Sequence, residues 1–232
     1  MSAVSNGSAM ARKSKEDAQA TREGILDAAI ACFHEHGVVG TTLAMIATRA
    51  GYTRGAVYWH FKNKTEVLEA MIERDRMPFV QRLQRTYAPQ RQTPILDLRE
   101  VIRVSLAELV GDPRQRSLME ILLRSEQSSE SLSVQAMQRQ NSQEELDMVT
   151  RTLERARELG QLRPGVDPAA ASRMLHISLT GALYNAMAQP EQYDLERDGL
   201  MVMDVVLLAY VRDGVFQPGV FPAQADSAGW DA

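Results

Sequence analysis

The segment 41–64, TTLAMIATRAGYTRGAVYWHFKNK, constrains the fold more than any other part of this chain of 232 residues. Leu43, Ile46, Ala47 and Ala50 recur at helical spacing, and Thr42 stands before them as an N-cap. Gly51 follows, a residue suited to the left-handed turn that closes a helix. Thr53 is a second N-cap, and the spacing predicts a short helix from Arg54 to His60. Two short helices across a glycine turn form a helix-turn-helix, whose second helix fits the major groove of duplex DNA. Val57 and Phe61, four residues apart, face the inside of such a module. Tyr58, Trp59 and His60 are then left on or near its surface, and exposed aromatic residues in a cluster call for a partner.

A helix is predicted over 17–35, where Ile25, Ala28, Ala29, Cys32 and Phe33 form a one-sided apolar stripe that Gly37 ends. The two helices of the 41–64 segment supply the faces that cover it, which gives a three-helix headpiece over 17–63. Residues 1–16 are expected to be a disordered basic arm carrying Arg12, Lys13 and Lys15. Such an arm is either a solubilising tail or a phosphate or minor-groove contact.

From Lys64 onward only helical periodicity is found, with no strand signal and no internal repeat. A long helix over 65–86 contains Pro78, which should kink or break it. Asp112-Pro113 and Asp167-Pro168 each cap and restart a helix. Further helices follow to about residue 212, and 215–232 is an irregular, proline-containing tail. The predicted fold is therefore all-α: a headpiece followed by a body of about six helices over 64–214.

Hydrophobic residues make up 44% of the chain, enough for a sizeable core. The net charge of −4 divides into +3 over residues 1–64 and −7 over the remainder, so a locally basic module precedes an acidic body. The longest apolar runs, such as 205–210, fall far short of the roughly 20 residues that span a bilayer. The first ten residues have no apolar core of the kind a secretory signal needs, so a cytoplasmic protein without membrane contact is expected. The single cysteine, Cys32, excludes an internal disulfide and falls on the apolar stripe as a buried thiol. His34, Glu35 and His36 lack the spacing of a metal-binding helix, and no phosphate loop, nucleophile elbow or Cys/His ligand set occurs. No enzyme activity, metal or cofactor is expected.

The headpiece, the run GYTRGAVYWHFKNK and the opening MARKSKEDAQATREGILDAA together resemble the TetR family of bacterial transcriptional regulators, and within it the AcrR-, TtgR- and SmeT-like repressors of multidrug efflux operons. The resemblance is specific over 17–72 and looser beyond. It implies a homodimer on palindromic double-stranded DNA and a pocket in the body for a hydrophobic small-molecule effector. It also implies a repressor that the effector releases, with the 65–86 helix as lever.

By motif position, Arg54, Gly55, Ala56 and Tyr58 face the bases. Arg54 is either a direct reader of guanine O6 and N7 or a solvated arginine beside the cap. Gly55 and Ala56 lack the bulk that would hold the helix away from the groove. Tyr58 and His60 are expected on phosphates, with one aromatic, Trp59 included, partly packed on the core. Thr42, Thr53 and Lys64 sit at helix starts, where hydroxyl, ammonium and helix dipole meet phosphate.

In the body, Met71, Ser105, Met119, Leu122, His176 and Asn185 are the effector-contact candidates. A methionine stripe is more often plain core, and a histidine placed like His176 is more often a satisfied buried or interface residue than a ligand contact. The last two helices carry more apolar faces than one bundle needs. In TetR-like proteins this pair packs on its copy, so Leu175, Leu179, Leu183, Met203, Val206 and Tyr210 are the interface candidates. The rival reading is a helical small-molecule-binding module without sequence-specific DNA binding, which leaves Arg54 and the aromatic triplet without a role.

Overall fold

In the computed structural model the backbone is described for residues 5–125 and 132–217, and side chains for 15–122 and 134–217. Arg12 and Lys13, residues 126–131 and the tail from 218 lie outside the described side chains. Among the described residues the chain is all-α. The helices are α1 (Ser5–Gly40), α2 (Leu43–Ala50), α3 (Arg54–His60), α4 (Lys64–Thr86), α5 (Pro94–Gly111), α6 (Pro113–Ser125), α7 (Leu132–Glu158), α8 (Pro168–Ala188) and α9 (Leu195–Tyr210). Extended backbone pairs only in an isolated antiparallel bridge between Leu162 and Val211, again among the described residues.

The caps read from sequence form. Asp112 accepts the Arg114 N–H at 2.8 Å, and Asp167 accepts those of Ala169 and Ala170. Gly37 does interrupt α1, at φ 72° and ψ 165°, and the Thr41 hydroxyl seals that end by donating to the carbonyls of Gly37 and Cys32. Two features differ from the sequence reading. α1 begins at Ser5 instead of near residue 17, because AMARKSKEDAQA is polar yet made almost wholly of good helix formers. α4 also runs through Pro78 without a break; the missing N–H leaves the Arg74 carbonyl without its helical donor.

The chain forms two compact units. The first comprises the residues up to Met77 together with Gly111–Asn141. It is thus larger than a three-helix headpiece, because α1 carries more apolar surface than α2 and α3 cover. Leu118 and Ile121 of α6 join Ile25, Leu26, Phe33, Ile46, Val57, Val67 and Leu68 in one buried cluster. Ion pairs stitch the same elements: Arg74 of α4 donates to Glu23 and Asp27 of α1 at 3.1 and 2.9 Å. Arg114 of α6 reaches Asp75 of α4 at 3.1 Å. Cys32 is buried in this cluster, and burial pushes its thiol up, with Arg49 opposing.

The second unit comprises Pro78–Val110 and the residues from Ser142. Its core is Leu83, Ile95, Leu98, Leu153, Met203 and Leu207, all fully enclosed. Inside it Arg99 of α5 donates to both carboxylate oxygens of Asp204 of α9, at 2.7 and 2.8 Å. The Phe216 ring lies 5.3 Å from the same guanidinium. Thr86 and Thr152 pair their hydroxyls in the same core.

Candidate nucleic-acid interface

The geometry of α2 and α3 follows from local chemistry. Thr42 takes extended backbone angles, and its hydroxyl oxygen accepts the Met45 N–H at 3.2 Å; Thr53 accepts that of Ala56 at 3.1 Å. Gly51 sits at φ 71°, a conformation other residues adopt only at a cost, and sends its N–H back to the end of α2. Tyr52 then crosses to α1, where Gly24 receives it. A Cβ at Gly24 would stand 2.9 Å from the Tyr52 hydroxyl, so any larger residue there would push the end of the Tyr52 ring aside.

α3 is anchored by Val57 and Phe61, which are buried at 0% and 3% exposure. The opposite side is open. Tyr58 and Trp59 are 57% and 73% exposed, and Arg54 and Gly55 are also exposed. Ala56 and His60 are half-buried. A Cβ at Gly55 would meet only the Thr53 hydroxyl oxygen, at 3.9 Å, so nothing inside the fold requires glycine there. Trp59 and His60 meet edge to face with centroids 4.5 Å apart. Burial, and then the charge of Arg22, pushes His60 below its ordinary pKa of 6.5. At neutral pH His60 is therefore an uncharged hydrogen-bonding group.

Not every cation near this surface is available. Arg49 is tied to Glu35 at 2.6 Å. Lys64 donates its ammonium to the Val39 carbonyl at 2.9 Å, which turns its side chain back onto the α1–α2 connection. Asn63 caps α4 by accepting the Glu66 N–H, and Glu66 in turn accepts the Lys62 N–H. Among the described residues Arg54 forms no ion pair. Arg22 of α1, which the motif reading did not single out, lies with its guanidinium 5.2 Å over the Phe61 ring. Nothing in the spacing of α1 marks it, because its neighbour lies across the fold.

The remaining candidates fall in different places. Met71 is fully enclosed in the first unit's core, so it offers no surface to an effector without rearrangement. Met119 and Leu122 of α6 are half-buried in the same unit. Ser105, His176 and Asn185 are half-buried in the second unit. There the Ser105 hydroxyl donates to the Val101 carbonyl and the Asn185 amide to that of Gly181, each at 2.8 Å. An open groove of about 550 Å³ in the first unit is lined by Asp27, Ile30, His34, Glu35, Arg49 and Arg114 among others, and by none of the effector candidates. His34 there contacts Glu120 at 2.9 Å.

Of the interface candidates, Leu175 and Met203 point into the second unit's core at 3% and 1% exposure, so they present nothing to a partner. Leu179, Leu183, Val206 and Tyr210 are half-buried. The exposed apolar side chains are instead Met174, Ile177 and Tyr184 of α8 and Met201 and Val205 of α9. An α8 that is apolar on all sides gives no periodic signal of which side faces inward.

A capped helix-turn-helix with a free arginine and exposed aromatics on its second helix, in an all-helical chain, defines a DNA-binding regulator of the helix-turn-helix class. Comparison with known proteins gives the family. Residues 25–71 match the bacterial regulatory proteins of the tetR family, and residues 93–211 match the C-terminal region of MAATS-type transcriptional repressors. The HTH-type transcriptional regulator AcrR of Shigella flexneri is 32% identical over 203 residues, covering 87% of this chain and 94% of its own. SmeT, the repressor of the Stenotrophomonas maltophilia multidrug efflux pump SmeDEF, is 58% identical; the match covers 89% of this chain and 98% of that one, with a TM-score of 0.80. The SmeT–triclosan complex gives a TM-score of 0.84 at the same 58% identity, over 88% of this chain and 97% of that one. The chain belongs to the TetR family of bacterial transcriptional regulators, which are not enzymes. No helix among the described residues is long and apolar enough to cross a membrane.

Proposed function

We propose that this protein is a cytoplasmic repressor that sits as a homodimer on a palindromic operator of a multidrug efflux operon. A hydrophobic small molecule bound by its helical body releases it. The observation that carries the reading is the outer face of α3, where an arginine without a carboxylate partner stands beside two exposed aromatic rings. Arg54 reads a guanine edge, Gly55 and Ala56 admit the helix to the groove, and Tyr58, Trp59 and His60 line the backbone beside it. Thr42 and Thr53 hold phosphates and set the register, and Lys64 joins them by releasing the Val39 carbonyl.

The efflux assignment is supported by what AcrR- and SmeT-like relatives are named for. Dimerisation is assigned to the exposed Met174, Ile177, Met201 and Val205, with the half-buried Leu179, Leu183, Val206 and Tyr210 at their margins. The effector contacts are assigned to the second unit, to Ser105, His176 and Asn185. An effector releases the operator only by its differential affinity for the free and DNA-bound conformations.

The test is a salt titration of binding to a duplex from immediately upstream of the protein's own gene, with an unrelated duplex alongside. Nanomolar, salt-steep binding to the first, weakened by added triclosan, is the expected result. Absence of binding to any duplex at low salt would overturn the proposal in favour of a helical ligand-binding module.

A further inference from the structure

Four side chains form a continuous line along the C-terminal edge of α3. Trp59 meets His60 at 4.5 Å, His60 lies 6.2 Å from Phe61, and the Phe61 ring carries the Arg22 guanidinium at 5.2 Å. Two of these are expected DNA-facing groups, and Phe61 is the buried C-cap of α3. α1 is held against this edge from two sides. Tyr52, just before α3, packs on Gly24, and Phe61, just after it, packs beneath Arg22. The register of Arg22 against the recognition helix is therefore fixed by the fold, not by a flexible tether.

Most of the described arginines have an acidic neighbour. Arg49 has Glu35, Arg74 has Glu23 and Asp27, and Arg114 has Asp75. Arg22 has none among the described residues, and its contact is with an aromatic face. A guanidinium stacked on a ring keeps its charge and its in-plane N–H donors free for a planar or tetrahedral anion. Glu23, next in sequence, is engaged by Arg74 at 3.1 Å and does not neutralise it.

We infer that Arg22 is a phosphate contact of the DNA complex, a cation that α1 delivers to the backbone flanking the groove occupied by α3. The inference rests on the DNA-binding reading above. It also divides the work along this edge: His60, uncharged at neutral pH, supplies a hydrogen bond, and Arg22 supplies the positive charge. A phosphate contact carries no sequence information, so Arg22 adds affinity without adding discrimination.

The test compares wild type, Arg22→Met and Arg22→Lys in full-length protein, on the upstream duplex and on an unrelated one, between about 0.1 and 0.5 M salt. Met keeps an aliphatic stem over Phe61 and removes the charge; Lys restores the charge. Each phosphate neutralised contributes about 0.9 to the slope of log K against log salt, so loss of two copies per dimer should make the slope shallower by about two. R22M is expected to show that change on both duplexes, with affinity at least about tenfold weaker at the lowest salt and an unchanged melting temperature. R22K is expected to recover most of the slope. A wild-type slope in R22M overturns the inference, and a lowered melting temperature with that slope marks Arg22 as packing alone. Failure of wild type to bind either duplex counts against the DNA-binding reading itself and is distinct from both.

Discussion

The arginines of the second unit that pair with carboxylates contrast with two that stand beside α3 in the first. In the second, Arg82 pairs with Glu108, Arg103 with Glu100, Arg163 with Asp213, and Arg99 is locked to Asp204 inside the core. On the α3 side of the first unit, Arg22 and Arg54 face no carboxylate among the described residues. A paired charge is spent within the fold, whereas an unpaired one at a surface remains for an anion from outside. Among the exposed apolar groups, α3 offers aromatic rings, whereas α8 and α9 add aliphatic side chains to Tyr184. Tyr58 and Trp59 combine a flat apolar face with a polar edge, which suits a sugar-phosphate surface. Ile177, Met201 and Val205 have no polar atom to offer and suit another protein face.

The sharpest way to break the contrast is to make a paired arginine unpaired. Asp204→Ala leaves the Arg99 guanidinium, 5% exposed, without its carboxylate. It is expected to cost about 3–5 kcal/mol, read in chemical denaturation, because a buried charge has lost its compensation. The double change Arg99→Met with Asp204→Leu should recover much of that loss. If D204A unfolds with wild-type stability, the pair is not the internal fixture described.

Next in size is the aliphatic face. Ile177→Glu with Val205→Glu places charge on side chains that are 61% and 62% exposed. It should leave helicity intact and raise the dimer dissociation constant at least about a hundredfold, roughly 2.7 kcal/mol. Sedimentation equilibrium decides it; an unshifted dimer would move the interface elsewhere.

Arg54→Ala sharpens the contrast within the first unit. It is expected to lose about 1–3 kcal/mol on the cognate duplex and much less on an unrelated one. Equal losses on both would reduce Arg54 to a phosphate contact like the one inferred for Arg22.

The smallest effect is thermal. His60 titrates below 6.5 in the folded protein because it is partly buried beside Arg22, so the folded state holds its proton less tightly than the unfolded chain. The stability this confers is fully present above about pH 6.5 and is lost as the pH falls through the unfolded value toward the folded one. Wild type should therefore lose more melting temperature between pH 7.5 and 5.5 than His60→Asn does, followed by scanning calorimetry. The opposite order would contradict the assignment of His60 as neutral.

What was legible in the sequence was local. The caps at Thr42, Thr53, Asp112 and Asp167 and the turn at Gly51 are each set by a few adjacent residues, and the spacing of Val57 and Phe61 alone gave the buried side of α3. Less could be read where the deciding neighbour is distant. Arg99 and Asp204 stand 105 positions apart, and nothing around either announces the other. Arg22 lies among charged residues of α1 that look alike in the sequence. On α8, Leu175 and Ile177 are interchangeable by hydropathy, yet one is enclosed and the other bare. The start of α1 is hidden for a different reason: the segment before residue 17 is polar, which reads as disorder, yet its helix propensity prevails.

One consequence lies in the two capping threonines. Each hydroxyl accepts a helix N–H through a lone pair, which leaves its own proton uncommitted to that bond. Aspartate and asparagine are stronger caps than threonine, so by stability alone Thr42 and Thr53 are second-choice residues. An aspartate there would have no proton to give and would set a negative charge against the DNA backbone. With the phosphate contacts proposed for Thr42 and Thr53, an aspartate at either position would thus trade a firmer cap for a weaker grip on the operator, a trade-off written into one oxygen atom at each helix start.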